Sequence, residues 1–254
     1  MPDLFRLDGK TALVTGCRRG IGRVIALTLA EAGADVVGVS QNMEADGGAI
    51  GAEVRALGHN FHAFTCDMGD REALYTFIRD VQVTAPPVDI LVNNAGIVPR
   101  ADAVDYPDED WDRVFEINLN AQFILAREFG RGMLARGAGK IIFIASLMSF
   151  QGGIRVPAYA ASKGAIARLT LALSNEWAGQ GVQVNAIAPG YVATELTADL
   201  LNDTARYQAI LERIPAGRWA QPEDFRGAAL YLASPASDYV TGEILTVDGG
   251  WMGR

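Results

Sequence analysis

Two residues in the second half of the chain have the types and spacing of an acid/base pair. Tyr159 and Lys163 stand four positions apart in Tyr-Ala-Ala-Ser-Lys, a spacing that places both side chains on one face of a helix. A phenol has a pKa of about 10, so it needs a neighbouring positive charge to exchange protons near neutral pH. Lys163 would supply that charge. The pair predicts proton transfer to or from a substrate hydroxyl or carbonyl group.

Two other polar residues are candidates for the same site. Ser146 ends a predicted strand, where its hydroxyl can bind a substrate oxygen or cap a helix. Asn118 falls inside a predicted long helix, and asparagine is unfavourable there unless it has a specific task. We expect it to hold a water molecule that passes protons to Lys163.

A glycine-rich segment near the start of the chain is typical of a phosphate-binding loop. The segment 15–22 follows the first predicted strand and opens a helix. Gly16 permits a tight turn, Gly20 lets the backbone approach a pyrophosphate, and Gly22 permits close packing of helix and strand. The helix N-terminus adds free N–H groups and the positive end of its dipole. A purely steric need for glycine is the alternative.

The end of the second predicted strand should determine which dinucleotide binds. An acid there bonds the ribose 2′-hydroxyl, whereas an arginine accommodates a 2′-phosphate. Ser40 and Gln41 are neither, although both can bond ribose hydroxyls. Arg18 and Arg19 in the glycine loop could reach a 2′-phosphate or simply face solvent. We expect NAD and keep NADP as the alternative.

Other predicted cofactor contacts come from the ends of later strands. Asp67 is placed to accept a hydrogen bond from the adenine amino group or to cap the next helix. In the segment 93–96, asparagine can bond neighbouring strands while the small residues leave room for ribose. The cofactor-binding residues expected from these patterns are Gly16, Arg18, Arg19, Gly20, Ile21, Gly22, Ser40, Gln41, Asp67, Met68, Asn94, Ala95 and Gly96.

A sheet of about seven strands has to position these side chains. Most of the short strand-like runs are continuously apolar, as in parallel strands buried on both faces. They are Thr11–Thr15, Asp35–Val39, Asn60–Thr65, Ile90–Asn93, Lys140–Ile144, Val182–Ile187 and Ile244–Val247. Helical patterns, such as 23–32 and 70–83, lie between them. This alternation predicts a Rossmann-like, doubly wound α/β fold with helices on both faces and ligands at the carboxyl edge.

The segment 191–220 departs from that alternation. It is longer than a simple crossover helix and contains an apolar periodic stretch at 207–214. A substrate lid and an ordinary pair of surface helices are both compatible with it. Because we find no linker or internal repeat, we expect a single domain over 1–254 with a lid at about 191–220.

Composition limits the classes of protein to which the chain can belong. Of its 254 residues, 50% are hydrophobic and 20% are charged, which argues against disorder and against a coiled coil. Thirty acidic residues outnumber 22 basic ones, for a formal net charge of −8. Non-specific phosphate binding needs a basic surface, so we expect no nucleic-acid or membrane partner.

The cysteines and histidines do not indicate a metal site. Cys17 and Cys66 are too few for a disulfide framework and lack zinc-like spacing, so we expect packed thiols. His59 and His62 lie away from the predicted site. The segment 1–10 lacks the apolar core of a signal peptide, and no apolar run approaches the roughly 20 residues of a membrane span. A cytoplasmic protein is expected.

The motifs, in this order, resemble those of the short-chain dehydrogenase/reductase family over essentially the whole chain. The matching residues are TGCRRGIG at 15–22, NNAG at 93–96, Asn118, Ser146, YAASK at 159–163, and Pro189-Gly190. In that family the tyrosine is the general acid/base, the lysine orients the nicotinamide ribose and lowers the tyrosine pKa, the serine positions the carbonyl and the asparagine holds the relay water. The resemblance implies an NAD(P)-dependent oxidoreductase with catalytic residues Asn118, Ser146, Tyr159 and Lys163. It adds Tyr159, Lys163, Pro189, Gly190, Val192 and Thr194 to the expected cofactor-binding residues.

Other segments are similar to family members that act on sugar acids from the breakdown of pectin-derived uronates and use NAD. These segments are 145–157, 214–219, 237–240 and 247–251. Related members act on gluconate, 2-deoxygluconate or an unsaturated-uronate ketone, so these substrates stay open. A small-molecule sugar acid is the expected substrate.

An acidic substrate requires a local positive charge in a chain of net charge −8. Arginine binds a carboxylate bidentately. We expect Arg155 to contact the substrate beside Ser146 and Tyr159, with Arg100 and Arg218 as further candidates. A structural salt bridge is the alternative for each arginine.

Two alternatives to this function and one prediction about assembly remain. The chain could be a regulatory or scaffold protein that binds the cofactor without catalysis, but no member of the catalytic set is missing. It could also act on a steroid, an acyl thioester or a polyol. Tetrameric family relatives place the C-terminus at an interface, which implies a homo-oligomer, a tetramer, with Arg254 near a neighbour's site.

Overall fold

The computed structural model describes residues 3–254, and these contain a seven-stranded parallel sheet. The strands are β1 (Thr11–Thr15), β2 (Asp35–Ser40), β3 (Phe61–Thr65), β4 (Ile90–Asn93), β5 (Gly139–Ile144), β6 (Val182–Pro189) and β7 (Ile244–Val247). Their order across the sheet is β3-β2-β1-β4-β5-β6-β7, with every neighbouring pair parallel. The predicted doubly wound α/β fold is confirmed. Met1 and Pro2, which begin the segment 1–10, lie outside the described residues.

Helices cover both faces of the sheet. They are α1 (Gly20–Glu31), α2 (Gly48–Ala56), α3 (Arg71–Thr84), α4 (Asp108–Phe115), α5 (Ala121–Arg136), α6 (Pro157–Trp177), α7 (Ala198–Asn202), α8 (Thr204–Leu211) and α9 (Arg226–Ala233). Helices α1, α2 and α9 pack on the sheet face that contains Val14, and α3, α5 and α6 pack on the face that contains Leu13. Since successive strand residues enter opposite cores, the strand sequences are continuously apolar.

The strand order reverses between β1 and β4. These strands pair in register, with Val14 opposite Val92, and their carboxyl ends stand side by side at the same edge. Such a reversal opens a crevice in which α/β proteins bind ligands. The glycine-rich segment after β1 and the segment 93–96 meet at that crevice.

Several boundaries differ from those expected, and one difference matters for the site. Asn118 lies in a π-helical turn, Glu116–Asn120, between α4 and α5, whereas we expected it within one long helix. π-Turns inside helices are frequently found at functional sites. The strands β2 and β6 continue to Ser40 and Pro189, so their last residues reach the carboxyl edge.

The segment 191–220 forms a separate small layer over that edge. A parallel bridge between Val192 and Ala220 closes its base, and α7 and α8 lie between them. The predicted helical stretch 207–214 is helical only to Leu211. A third apolar cluster holds this layer, in which Tyr207 stacks on Trp219 with ring centres 5.4 Å apart.

The C-terminal residues contact this layer within the same chain. Trp251 belongs to the same apolar cluster, and its indole nitrogen donates to Gln151 Oε1, outside the layer, at 3.3 Å. Arg254 donates to the main-chain oxygen of Glu212 at 2.8 Å. The expected position of Arg254 near a neighbouring subunit's site stays a prediction. Within residues 3–254, none of the helices is both long enough and apolar enough to cross a membrane.

Candidate active site

Helix α6 presents Tyr159 and Lys163 on one face, as their spacing predicts. Pro157 at its first turn starts the helix with a fixed backbone angle. The ammonium nitrogen of Lys163 lies 5.6 Å from the centre of the Tyr159 ring. It donates a 2.6 Å hydrogen bond to the main-chain oxygen of Ile144, at the end of β5. This bond fixes the lysine at the carboxyl edge of the sheet.

Burial sets the protonation of this pair. Removal from water lowers the pKa of Lys163 to about 8 and raises the pKa of Tyr159, because both charged forms are disfavoured in a poorly polarisable environment. A hydrogen bond from Ser146, and then the positive charge of Arg100, oppose the rise in the Tyr159 pKa. We expected Lys163 to perform this task, whereas the groups that oppose the rise are Ser146 and Arg100. Stabilisation of the phenolate by Lys163 stays a prediction.

Ser146 has a hydroxyl group that the backbone orients. The residue starts a short 3-10 turn, Leu147–Ser149, and its Oγ accepts a 3.1 Å hydrogen bond from the Met148 amide. The hydroxyl proton is then free to be donated to an oxygen at the Tyr159 side. Helix capping and oxygen binding, which we set out as alternatives, are compatible with each other.

Asn118 joins the loop after β4 to the helix that bears the tyrosine. Its Oδ1 accepts from the amide of Ile97, and its Nδ2 donates to the oxygen of Ile97, both at 2.9 Å. The same Nδ2 lies 3.4 Å from the hydroxyl of Ser162 on α6. The side chain therefore positions two elements of the site, and its role in a water relay to Lys163 stays a prediction.

The glycine loop packs closely against the end of β4. Asn94 donates from Nδ2 to the main-chain oxygens of Thr15 and Gly16, at 2.9 and 3.3 Å. Thr15 Oγ1 accepts from the amides of Asn94 and Ala95, both at 2.9 Å. A Cβ on Gly22 would lie 2.4 Å from Asn94 Nδ2 and from the Gly16 oxygen. The loop can adopt this arrangement only with glycine at that position.

The arrangement of this loop fits a dinucleotide pyrophosphate. Gly16 and Gly20 have φ angles of 66° and 56°, which turn the chain sharply into α1. Arg19 precedes α1 and supplies no side-chain cap to it, so the amides of Gly20, Ile21 and Gly22 can serve an anion. Arg19 instead pairs with Glu195, which connects the loop to the base of the 191–220 layer.

The residues at the predicted adenosine end bond to one another. Ser40 Oγ accepts from the Arg18 amide at 3.3 Å, and Gln41 donates to Asp67 at 3.1 Å. Arg18 pairs through its guanidinium with Glu44 at 3.3 Å. Glu44 is a residue that sequence reasoning missed, because it stands four positions beyond the strand end where an acid is expected.

Asp67 binds a nearby backbone amide but is not the N-cap of α3. Asp70 is the residue that caps α3, through bonds to the amides of Glu72 and Ala73. Asp67 accepts from the Gly69 amide at 2.8 Å, so part of its hydrogen-bonding capacity is used locally. The Met68 side chain is buried in the core, which leaves only its backbone for a cofactor.

The segment after β6 approaches the glycine loop from the other side. Pro189 and Gly190 line the cavity described below, and a Cβ on Gly190 would lie 2.7 Å from the Cα of Asp248. Thr194 lies next to Gly20: a Cβ on that glycine would be 3.7 Å from the Thr194 methyl group. Val192 is buried at the bridge to Ala220.

A cavity of about 350 Å³ opens beside Tyr159 and Ser146. Its charged lining residues are Arg100, Arg155, Asp203 and Arg206, so three positive charges face one negative charge. Arg206 and Asp203 were missed in the sequence, since each is an ordinary polar residue on a mixed helical stretch. The cavity can accommodate a small anionic molecule.

The three predicted arginines have different surroundings. Arg100 donates to the Leu196 oxygen at 3.3 Å and is 3.9 Å from Asp199. Arg155 lines the cavity but pairs through Nε with Asp102 at 3.0 Å.

Arg218, the third of these arginines, does not line the cavity. It binds Asp224 bidentately at 2.6 and 2.7 Å and lowers the pKa of that carboxyl to about 2. The structural salt bridge that we set out as the alternative therefore describes Arg218.

The cysteines and histidines do not line the cavity. Cys17 and Cys66 are buried and unpaired with each other, and burial raises their pKa values to about 12 and about 11. His59 Nδ1 is 3.9 Å from Asp35 at the start of β2, and His62 belongs to β3. Within residues 3–254, His, Cys, Asp and Glu form no group of three or more suited to a metal ion.

Comparison with known proteins adds to this geometry. A family model described as enoyl-(acyl carrier protein) reductase matches residues 16–252. A protein of Pseudoalteromonas atlantica named 2-dehydro-3-deoxy-D-gluconate 5-dehydrogenase is 60% identical over 254 residues, which is 100% of both chains. A Bacillus subtilis protein of the same name is 53% identical, over 99% of this chain and 98% of its own. The crystal structure of a Beutenbergia cavernae protein with bound NADP (low occupancy) superposes with a TM-score of 0.94 at 48% identity, over 99% of this chain and 100% of its own.

Proposed function

The chain belongs to the short-chain dehydrogenase/reductase family, and we propose that it oxidises 2-dehydro-3-deoxy-D-gluconate at C5 with NAD as hydride acceptor. As a member of that family it is an oxidoreductase. The observation that carries the substrate class is the charge of the cavity. Three arginines and one aspartate surround it beside Tyr159, in a chain whose formal net charge is −8.

The choice of substrate within that class is based on the names of relatives of similar length. Proteins named for this substrate match the whole chain at 60% and 53% identity. Gluconate, 2-deoxygluconate and the unsaturated-uronate ketone carry the same carboxylate, so they stay as alternatives that kinetics must separate. An acyl thioester is a poorer candidate, because a cavity of about 350 Å³ with four charged lining residues does not suit a long apolar chain.

The chain's own residues supply the proton chemistry. A bound nicotinamide dinucleotide supplies the acceptor for the hydride that leaves the substrate carbon. Ser146 donates a hydrogen bond to the substrate oxygen, and the Tyr159 phenolate removes the proton from that hydroxyl. The ammonium of Lys163 stabilises the phenolate, and Asn118 positions the loop through which a water relay would run.

The dinucleotide is assigned to the crevice between β1 and β4. The amides after Gly16 and Arg19 suit the pyrophosphate, and Ser40, Gln41 and Asp67 suit the adenosine. We assign the nicotinamide ribose to Tyr159 and Lys163. The carboxamide contacts assigned to this chain are Val192 and Thr194.

NAD is preferred over NADP because of the charges near the second strand. The guanidinium of Arg18, which would otherwise attract a 2′-phosphate, is paired with Glu44. A 2′-phosphate entering there would meet the carboxylate of Glu44. NADP remains the alternative, since the Beutenbergia cavernae structure holds it.

We further propose a cytoplasmic homotetramer in which 191–220 acts as a mobile lid. Large apolar side chains exposed on the helices α4 and α5, Trp111 and Phe123, support an assembly. The two free cysteines support a reducing compartment. Multi-angle light scattering of the purified protein tests the tetramer.

Steady-state kinetics tests the proposed function. The purified protein is assayed for absorbance at 340 nm with 2-dehydro-3-deoxy-D-gluconate, gluconate, 2-deoxygluconate and a neutral polyol, each with NAD and with NADP. We expect the highest kcat/KM for 2-dehydro-3-deoxy-D-gluconate with NAD. A higher kcat/KM for the polyol than for each sugar acid would contradict the proposal.

A further inference from the structure

One arginine of the cavity has no partner for its charge among residues 3–254. Arg206 lies on α8 and lines the cavity; its main-chain amide donates to Asp203 Oδ1 at 3.0 Å. In the described part of the chain, its guanidinium donates no hydrogen bond and has no carboxylate within 4.0 Å. By contrast, Arg155 is paired with Asp102. An uncommitted, partly buried guanidinium in a polar cavity is poised for an anionic ligand.

Arg206 and Arg100 act on the same part of the cavity from two sides. Burial raises the pKa of Tyr191, which also lines the cavity, while Arg206, then Arg213 and Arg100, oppose that rise. At Tyr159 only Arg100 of this group has such an effect. Both arginines line the cavity, Arg100 from the loop after β4 and Arg206 from α8 in the 191–220 layer.

This arrangement matches the shape of the proposed substrate. In 2-dehydro-3-deoxy-D-gluconate the carboxylate is C1 and the oxidised carbon is C5, with C2, C3 and C4 between them. When the C5 hydroxyl contacts Tyr159 and Ser146, the carboxylate must lie at the distant end of the cavity. In the proposed arrangement that end is the part of the cavity lined by Arg206, on an element that carries neither Tyr159 nor Ser146.

We propose that Arg206 on α8 binds the substrate carboxylate, with Arg100 as the second donor, and thereby selects acidic over neutral substrates. The inference rests on the proposed function, since it requires an acidic sugar. Guanidinium carries five N–H donors, and the bond of Arg100 to Leu196 uses one of them. The remaining donors of Arg100 are therefore available to a carboxylate.

The remaining charges around Arg206 are compatible with this role. Asp203, the acidic lining residue, is engaged as the cap of α8, and its single charge is exceeded by those of the two arginines. Asp199 lies 3.9 Å from Arg100 but is largely exposed, so solvent screens it. The carboxylate would join Arg100, after β4, to Arg206 in the 191–220 layer and hold that layer over the substrate.

The test compares the acid with its methyl ester, which keeps the sugar but removes the charge. In Arg206→Ala we expect the KM for the acid to rise about 10- to 100-fold, as for loss of a charge-assisted hydrogen bond. In the wild type we expect a smaller kcat/KM for the ester than for the acid. In Arg206→Ala the value for the ester should change less than about threefold, so the preference for the acid is largely lost. Arg206→Lys should restore part of it. Arg168→Ala, an exposed arginine on α6, is the matched control and should behave as the wild type.

Each outcome has a separate meaning. Dinucleotide binding measured by tryptophan quenching should be unchanged in Arg206→Ala, which shows that the variant is folded. An unchanged KM for the acid in this variant, with an active wild type, overturns the inference. A larger KM increase in Arg155→Ala than in Arg206→Ala also overturns it, because the carboxylate would then lie at Arg155. A wild type that oxidises no sugar acid overturns the proposed function itself.

Discussion

The ammonium of Lys163 lies 5.6 Å from the centre of the Tyr159 ring and is held there by a 2.6 Å hydrogen bond to a main-chain oxygen. Burial lowers the pKa of this ammonium from 10.5 to about 8. A depression of that size corresponds to roughly 3 kcal/mol of destabilisation while the unfolded lysine is protonated. The positive charge beside the phenol is therefore held at a cost to the stability of the folded protein.

Lys163→Met should abolish turnover and leave the fold at least as stable. At pH 7 it removes the buried charge but also the hydrogen bond to Ile144, worth about 1 kcal/mol, so we expect a net gain of about 1 to 2 kcal/mol. Between pH 8 and 10.5 the unfolded lysine binds a proton that the folded one has released, so wild-type stability rises with pH relative to the variant. Urea unfolding at pH 7 and 9.5 measures the difference. A difference that does not shrink with pH would argue against a costly buried ammonium.

Ser146→Ala should move the pH profile of sugar-acid oxidation to higher pH. Oxidation requires the phenolate, so kcat/KM rises with pH as Tyr159 ionises. The hydrogen bond from Ser146 opposes the rise in the Tyr159 pKa caused by burial, so its loss should raise that pKa further. We expect a lower kcat and an alkaline shift of the rising limb of kcat/KM. An unshifted limb would show that Ser146 does not act on the phenol.

Glu44→Gln should improve the use of NADP. A hydrogen bond from its own backbone amide, and then one from Arg18, lower the pKa of Glu44, so its carboxylate is charged at pH 7. Removing that charge frees Arg18 for a 2′-phosphate. Since both groups are exposed, we expect a modest three- to tenfold fall in the KM for NADP, with the KM for NAD nearly constant. Glu53→Gln, which breaks the comparable pair with Arg23, is the control; an equal effect there would reject a specific role for Glu44.

Gly22→Ala should weaken dinucleotide binding and the fold together. The new methyl group would lie 2.4 Å from Asn94 Nδ2 and from the Gly16 oxygen, so the loop after β1 has to move. We expect about 1 to 3 kcal/mol of destabilisation and at least tenfold weaker NAD binding by titration calorimetry. Gly227→Ala on α9 meets no atom within 4 Å and should be neutral or stabilising. Equal NAD affinity in the wild type and Gly22→Ala would contradict this account of the loop.

Much of the fold and of the candidate site follows from local sequence. Buried parallel strands such as β1 are apolar without interruption, so they can be recognised in the sequence. The four-residue spacing of Tyr159 and Lys163 places both side chains on the same face of a helix. The position of Asn118 does not follow in the same way. The residue pattern of a single π-turn is the same as that of a continuous helix. The hydrogen bonds of Asn118 to Ile97 are therefore visible only in the structure.

The arginines show the limit of that reasoning. No local sequence pattern distinguishes Arg206 from Arg218. In the structure, however, Arg206 lines the cavity while Arg218 pairs with Asp224. The difference depends on how the 191–220 layer folds over the sheet edge, where Tyr207 packs on Trp219 within the third apolar cluster. Such long-range packing leaves no local periodicity to detect. Asp224, six positions after Arg218, is the sequence feature that indicates this salt bridge.

The formation of NADH from 2-dehydro-3-deoxy-D-gluconate tests the central claim most directly. Initial rates at 340 nm are measured for the wild type and for Tyr159→Phe, with galactitol as the neutral comparison. We predict a kcat/KM for the sugar acid at least 100-fold above that for galactitol. In Tyr159→Phe, kcat should fall by about 10²- to 10⁴-fold, with NAD binding retained. Equal or greater activity on galactitol, or undiminished turnover by Tyr159→Phe, would contradict the account.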